Sequence, residues 1–189
     1  MKSISVLTLL AVGYLFLAPM IFAQTLTIDG VHFTPPKGWV KAEKQGAVVF
    51  TETDKAEKTF CTVTIYGQNA SLVNPELDFA DKWYRYVVLP FKTETRPRTV
   101  TQARPDGWSA IVGGGLILVG GEKTAAILTV FRGFGKTASV LTVFNDEKYA
   151  ESMQSFIDDL TFDKPAAMPP LPIQNTVPNP TKKPPSRVL

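Results

Sequence analysis

The sequence predicts an α+β domain, an antiparallel β-sheet with helices packed on its faces. Three observations carry that reading. Short runs of alternating apolar and polar residues lie on both sides of the middle of the chain. The turns that join them are too short for parallel crossovers, so neighbouring strands run antiparallel. Two further segments carry helix start signals and helical periodicity, giving the order strands, helix, strands, helix.

The elements follow from the N-terminal side. Leu26 and Ile28 alternate with threonines, Asp29-Gly30 supplies a turn, and Val31 and Phe33 resume the alternation. Pro35-Pro36-Lys37-Gly38 turns the chain before Trp39. A strand from Trp39, a Gln45-Gly46 turn and Ala47 to Phe50 form a second hairpin. The charged stretch 54–58 reads as a loop. From Phe60 to Tyr66 the alternation returns, with Cys61, Val63 and Ile65 on one face and Phe60, Thr62, Thr64 and Tyr66 on the other.

The first helix has Asn74 as N-cap, Pro75 at its first position and acidic Glu76 and Asp78 at the positive end of its dipole. Leu89-Pro90 is expected to end it. Asp78, Asp81, Lys82 and Arg85 fall on one polar arc, whereas Leu77, Phe79, Ala80, Trp83, Tyr84, Tyr86, Val87 and Val88 fill the remainder. That apolar arc is wider than a surface helix needs. The helix therefore either sits in a groove, touched on two sides, or leaves an aromatic edge exposed.

Thr99 to Ala103 reads as a strand before the Pro105-Asp106-Gly107 turn. Trp108 to Val119 is a further strand, which Gly113-Gly114-Gly115 is expected to bulge or bend. Gly120-Gly121 leads into Thr124 to Phe131, and Gly133-Phe134-Gly135 into Lys136 to Phe144. Asn145 then caps a second helix with Tyr149, Met153, Phe156, Ile157 and Leu160 on one stripe, and Phe162 closes the domain at 24–163.

The two ends are different objects. Lys2, the apolar run Ile4 to Leu17 and the short region Pro19 to Ala23 have the order of a secretory signal peptide, 1–23, with cleavage before Gln24; an uncleaved anchor is the alternative. The protein is thus expected to be exported, periplasmic or secreted, with no membrane span left after cleavage. Residues 164–189 hold eight of the fifteen prolines and read as a disordered or polyproline-II tail, either a spacer or a docking strip. That tail has four basic residues and no acid, while 24–163 holds 15 basic and 17 acidic residues, a balance of −2. The folded part has no excess positive charge to neutralise phosphates, which argues against nucleic acid as a partner.

Phe33-Thr34-Pro35-Pro36-Lys37-Gly38-Trp39 followed by a hairpin, a first helix, a glycine-punctuated meander and a last amphipathic helix resembles the PsbP-like superfamily, which includes exported bacterial proteins. The resemblance covers about 25–163. It implies a sheet sandwiched by helices and a role in binding other proteins rather than catalysis. No motif here matches functional residues of that family.

Few residues point to chemistry. His32 and Cys61 are each alone in their kind, but Cys61 is in step with inward Val63 and Ile65, whereas His32 falls on the opposite face of its strand. A nucleophilic cysteine needs access and a lowered pKa, so a Cys-His dyad is not expected. Gly135-Lys136-Thr137 echoes a phosphate-binding loop, yet Val130 stands where the first glycine belongs and the segment joins two strands, so it reads as a hairpin turn. One cysteine and one histidine cannot assemble a structural zinc site, and no cofactor is expected. Two groups remain as binding candidates. One is the aromatic set Phe79, Trp83 and Tyr86, which otherwise belongs to the core. The other is the basic run Arg96, Arg98 and Arg104, suited to an acidic partner and otherwise a solvated loop. The expected function is a non-enzymatic exported binding or accessory module for a protein or envelope component. The alternatives are a small-molecule binder with a pocket between sheet and first helix and, third, a hydrolase.

Overall fold

The structure, a computed structural model, describes residues 24–164. The expected signal segment 1–23 and the tail beyond Lys164 lie outside the described residues. Ten strands form two antiparallel sheets. The larger has seven strands in the order β3 (Val40–Lys44), β4 (Ala47–Asp54), β5 (Thr59–Ala70), β9 (Lys136–Phe144), β8 (Glu122–Gly133), β7 (Ser109–Val119) and β6 (Arg98–Ala103). Its neighbours are joined by hairpins except β5 to β9, where the intervening helix and strands have been looped out to build the other half of the sheet. The smaller sheet is β1 (Leu26–Ile28), β2 (Val31–Phe33) and β10 (Thr161–Phe162).

Alternation along the strands divides the core into two layers. On one face of the large sheet, Phe50, Cys61, Val63, Ile65, Phe131 and Val140 pack against the small sheet and helix α3 (Ala150–Asp158), which contribute Val31, Phe33, Tyr149, Met153, Phe156, Leu160 and Phe162. Phe33 meets Phe50 and Phe156 edge-on, with centroids 5.8 and 6.4 Å away. On the other face, Ile111, Ile117, Ala126, Leu128, Val130, Leu141 and Val143 pack against Phe79, Trp83 and Val87 of helix α1 (Pro75–Trp83) and its continuation. The expected sheet with helices on both faces is therefore the one observed.

Several local expectations are corrected by tertiary context. The first hairpin does not join the large sheet; it pairs with β10 through Phe162 opposite Val31, a two-residue strand too short to show periodicity. The glycine triplet neither bulges nor bends β7, since Gly113, Gly114 and Gly115 keep unbroken register with Leu128, Ile127 and Ala126. Asn145 does not cap the last helix. Its side chain accepts from Phe60 N at 2.8 Å and donates to Lys58 O at 3.1 Å, tying β9 to the start of β5, while Asp146 caps the 3₁₀ turn Glu147–Tyr149 that precedes α3.

Pro90 does not end the first helix. After α1 the chain widens into a π-helical turn, Tyr84–Val88, where Leu89 N–H bonds Tyr84 O, five residues back. The wide turn restarts the helix as α2 (Leu89–Phe91), with Pro90 in its first positions, where a missing N–H costs little. Lys92, at φ +50°, then closes it in the left-handed region.

Cys61 is fully buried, and burial, aided by the charge of Glu52, pushes its thiol up to about 12. The group is a packed apolar side chain, not a nucleophile. Iodoacetamide at pH 8 is therefore expected to leave the native thiol unmodified for hours and to label it within minutes in denaturant. Fast native labelling contradicts this burial.

Candidate functional site

The helix α1 is placed by its own ends. Asn74 Oδ1 accepts from Glu76 N at 2.7 Å and Leu77 N at 3.3 Å, which fixes the first turn. Asp78, expected on the solvated arc, is 2% exposed. Its Oδ1 accepts from Leu72 N at 2.8 Å, and Arg132 Nε stands 3.6 Å from Oδ2, within ion-pair range but beyond a hydrogen bond. Arg132 Nη2 in turn donates to Leu72 O at 2.8 Å and Val73 O at 3.2 Å, so β8 holds the approach to the helix. The wide apolar arc is split: Phe79, Trp83 and Val87 face the sheet, and Leu77 and Tyr84 face solvent.

The glycine triplet lets this helix come close. A Cβ on Gly113 would overlap the Phe79 ring, and one on Gly115 would overlap Thr95 Cγ2 and reach Trp83. Gly114 points to the other face and meets only ordinary contacts, with Ala126 O at 3.6 Å and Ile127 Cγ1 at 3.7 Å. The glycines are thus a flat seat for the aromatics of α1.

Between α1, the segment Thr93 to Pro97 and strands β6 and β7 lies a cavity of about 510 Å³. Phe79, Trp83 and Ile111 form its apolar wall, Thr99 and Thr101 of β6 one flank, and Arg96 part of its rim. The covering segment is pinned at both sides. Trp83 Nε1 donates to Thr95 O at 3.0 Å, Thr95 Oγ1 donates to Leu116 O at 2.7 Å, and the Thr93 and Thr95 hydroxyls are 2.8 Å apart. Strand β6 borders the opening as an outer strand of the sheet with all six residues exposed, so one side of its backbone is free to pair.

Of the residues singled out from the sequence, Phe79, Trp83 and Arg96 meet at this cavity, and Arg98 begins the adjacent edge strand. Phe79 and Trp83 are each 4% exposed and stack 6.0 Å apart, so they form a pocket wall and not a free aromatic edge. Tyr86 lies elsewhere, stacked face to face on Tyr66 at 3.6 Å. Burial raises both phenol pKa values. Arg104 belongs to the opposite face of the sheet. Its guanidinium sits over Phe131 at 5.4 Å and Phe162 at 5.6 Å, donates to Leu160 O at 2.9 Å and reaches Asp106 at 3.3 Å.

A second cavity, about 500 Å³, opens on that opposite face between α3 and the sheet, with Arg104, Val112, Ile127, Phe144, Met153 and Ile157 around it. Sequence reasoning did not find it. Its signal was the mismatch between a long apolar face on β7 and a nine-residue helix too short to cover it.

His32 is not near a thiol network. Its Nδ1 pairs with Thr27 Oγ1 at 2.8 Å and its Nε2 with Asp163 Oδ1 at 2.7 Å, which ties the end of β10 to the first hairpin. Among the described residues no group of three or more His, Cys, Asp or Glu is placed to hold a metal. Among them, too, no helix is long and apolar enough to cross a membrane.

Fold and site together describe an antiparallel α+β sandwich with a cavity on each face of its main sheet. No family model matches the chain, and no curated protein matches it. Solved structures similar to it include the following two. One is the cyanobacterial PsbP (CyanoP) of Synechocystis sp. PCC 6803, at 20% identity over 77% of this chain and 96% of that one, with a TM-score of 0.48. The other is LpqN of Mycobacterium tuberculosis, described as involved in cell envelope biogenesis, at 12% identity over 75% of this chain and 90% of that one, with a TM-score of 0.41.

Proposed function

We propose that this chain is an exported, non-catalytic module that binds a protein or envelope component on the α1 side of its sheet. One observation supports this best: an aromatic-walled cavity with Arg96 on its rim opens beside an exposed edge strand. A free edge offers main-chain hydrogen bonds to an extended segment, the cavity accepts an apolar side chain from it, and Arg96 favours acidic neighbours. Thr99 is exposed and central to the opening, so a photocrosslinker placed there in the native compartment is expected to give one reproducible adduct. The charge reversal Arg96→Glu should reduce that adduct at least ten-fold. An adduct unaffected by it, or none under several chemistries, contradicts the reading.

The cavity volume favours a second reading, a small apolar ligand, because about 510 Å³ is within the range of ordinary ligand sites. Thermal-shift screening of the full chain separates the two. A ligand at a hundred times its Kd is expected to add about 2.7 kcal/mol, or roughly 10 °C in Tm for a domain of this size. Stabilisation by one compound class with no crosslinked partner selects the ligand.

A further inference from the structure

The α3 side of the sheet is incompletely covered. In β7 the residues Ala110, Val112, Gly114, Leu116 and Leu118 share that face, and Val100 of β6 stands opposite Val112. Ala110 and Val112 line the cavity beside α3, but Leu116, Leu118 and Val100 are 60, 61 and 62% exposed. The cavity floor and these three side chains form one apolar strip, larger than scattered surface hydrophobes. Within the cavity Thr142 is 2% exposed and its hydroxyl has no hydrogen-bond partner among the described residues. A donor buried this way calls for an acceptor.

The chain itself carries a matching segment. Nine consecutive residues, Pro165 to Ile173, bear no polar side chain. The segment starts at the right place. Phe162 packs on Trp108 and Phe131 with centroids 4.6 and 4.7 Å away, lies under Arg104, and Lys164 Nζ stands 5.9 Å from the Phe134 ring centroid. Arg104 and Phe131 are also the near wall of the cavity. The length fits as well. Pro165 to Ile173 in polyproline-II spans roughly 25 Å at about 3.1 Å per residue, and Ala110 to Leu118 spans roughly 27 Å at about 3.4 Å per residue.

We infer that residues 165–173 lie along this strip, with an apolar side chain in the α3-side cavity. Prolines suit the task, because such a segment leaves its carbonyls free and surrenders little conformational entropy on docking. The tail is then an intramolecular cover, independent of whatever binds on the α1 side.

The test uses the full chain with Leu116 replaced by the photoreactive benzoylphenylalanine. The expected result is an intrachain crosslink into the peptide holding residues 165–173, with a yield independent of protein concentration. The double substitution Met168→Asp and Leu171→Asp, both outside the folded core, should lower that yield at least ten-fold and raise amide exchange in β6 at least ten-fold. Crosslinks between two chains that rise with concentration would show a second copy on the strip and overturn the assignment. Crosslinks confined to 24–163, or a tail crosslink that the double substitution leaves unchanged, overturn it equally.

Discussion

Gly113→Ala is expected to destabilise the protein by about 1–3 kcal/mol, the range for forcing an extra methyl into a packed core. The added Cβ meets the ring of Phe79, which lies across the α1 face of the sheet and is 4% exposed. Gly114→Ala is the internal control. It adds the same methyl one residue along the same strand, on the opposite face, where the nearest atoms are at ordinary contact distance, and it removes a flexible residue from a strand. Its expected effect is neutral or stabilising by about 0.5 kcal/mol. Urea titrations of the two variants read the difference directly. Adding Phe79→Leu to Gly113→Ala should cost less than the sum of the two single changes, because both act on one contact. Equal losses at 113 and 114 would show that the glycines serve strand flexibility and not the seating of α1.

Arg132→Met is expected to cost about 2–4 kcal/mol. Breaking a buried pair typically costs 3–5 kcal/mol, and the lower range here reflects the 24% exposure of the arginine side chain. The loss has two parts. Asp78 keeps its bond from Leu72 N but loses the Arg132 cation beside it, and the carbonyls of Leu72 and Val73 lose their donor. Hydrogen exchange should therefore rise first at Leu72 and through the first turn of α1, before the sheet is affected. Converting the partner as well, Asp78→Asn with Arg132→Met, removes the uncompensated charge and should recover at least half of the lost stability. A double variant as unstable as the sum of the single ones would mean that the pair does not interact.

These two variants also mark where local sequence stopped being informative. The arc containing Asp78, Asp81, Lys82 and Arg85 is polar by spacing alone, and three of its members behave as surface groups, with Arg85 paired to Asp81 at 2.7 Å. Asp78 does not, because a residue fifty-four positions later supplies Arg132 to it. In the same way, three adjacent glycines are locally indistinguishable from a bend. Only the helix lying across them shows that they were needed for close approach and not for curvature. The candidate site was half legible. Phe79, Trp83 and Arg96 are brought to one cavity, whereas Tyr86 and Arg104, equally plausible by residue type, are drawn off by Tyr66 and by the Phe131–Phe162 pair.

What the chain determined locally is what acts over a few residues: alternation that sorts Cys61, Val63 and Ile65 inward, turn chemistry at Asp29-Gly30 and Gln45-Gly46, the Asn74 cap, and hence an antiparallel α+β domain. What tertiary structure decided is which surfaces meet: the removal of β1 and β2 to a sheet of their own with β10, the path of the helix through Pro90, the burial of Asp78, and the two cavities. The reason is physical. Periodicity and caps are properties of a segment, while cavities and ion pairs are properties of the gap between segments distant in sequence, whose separation is set by side-chain volumes on both sides.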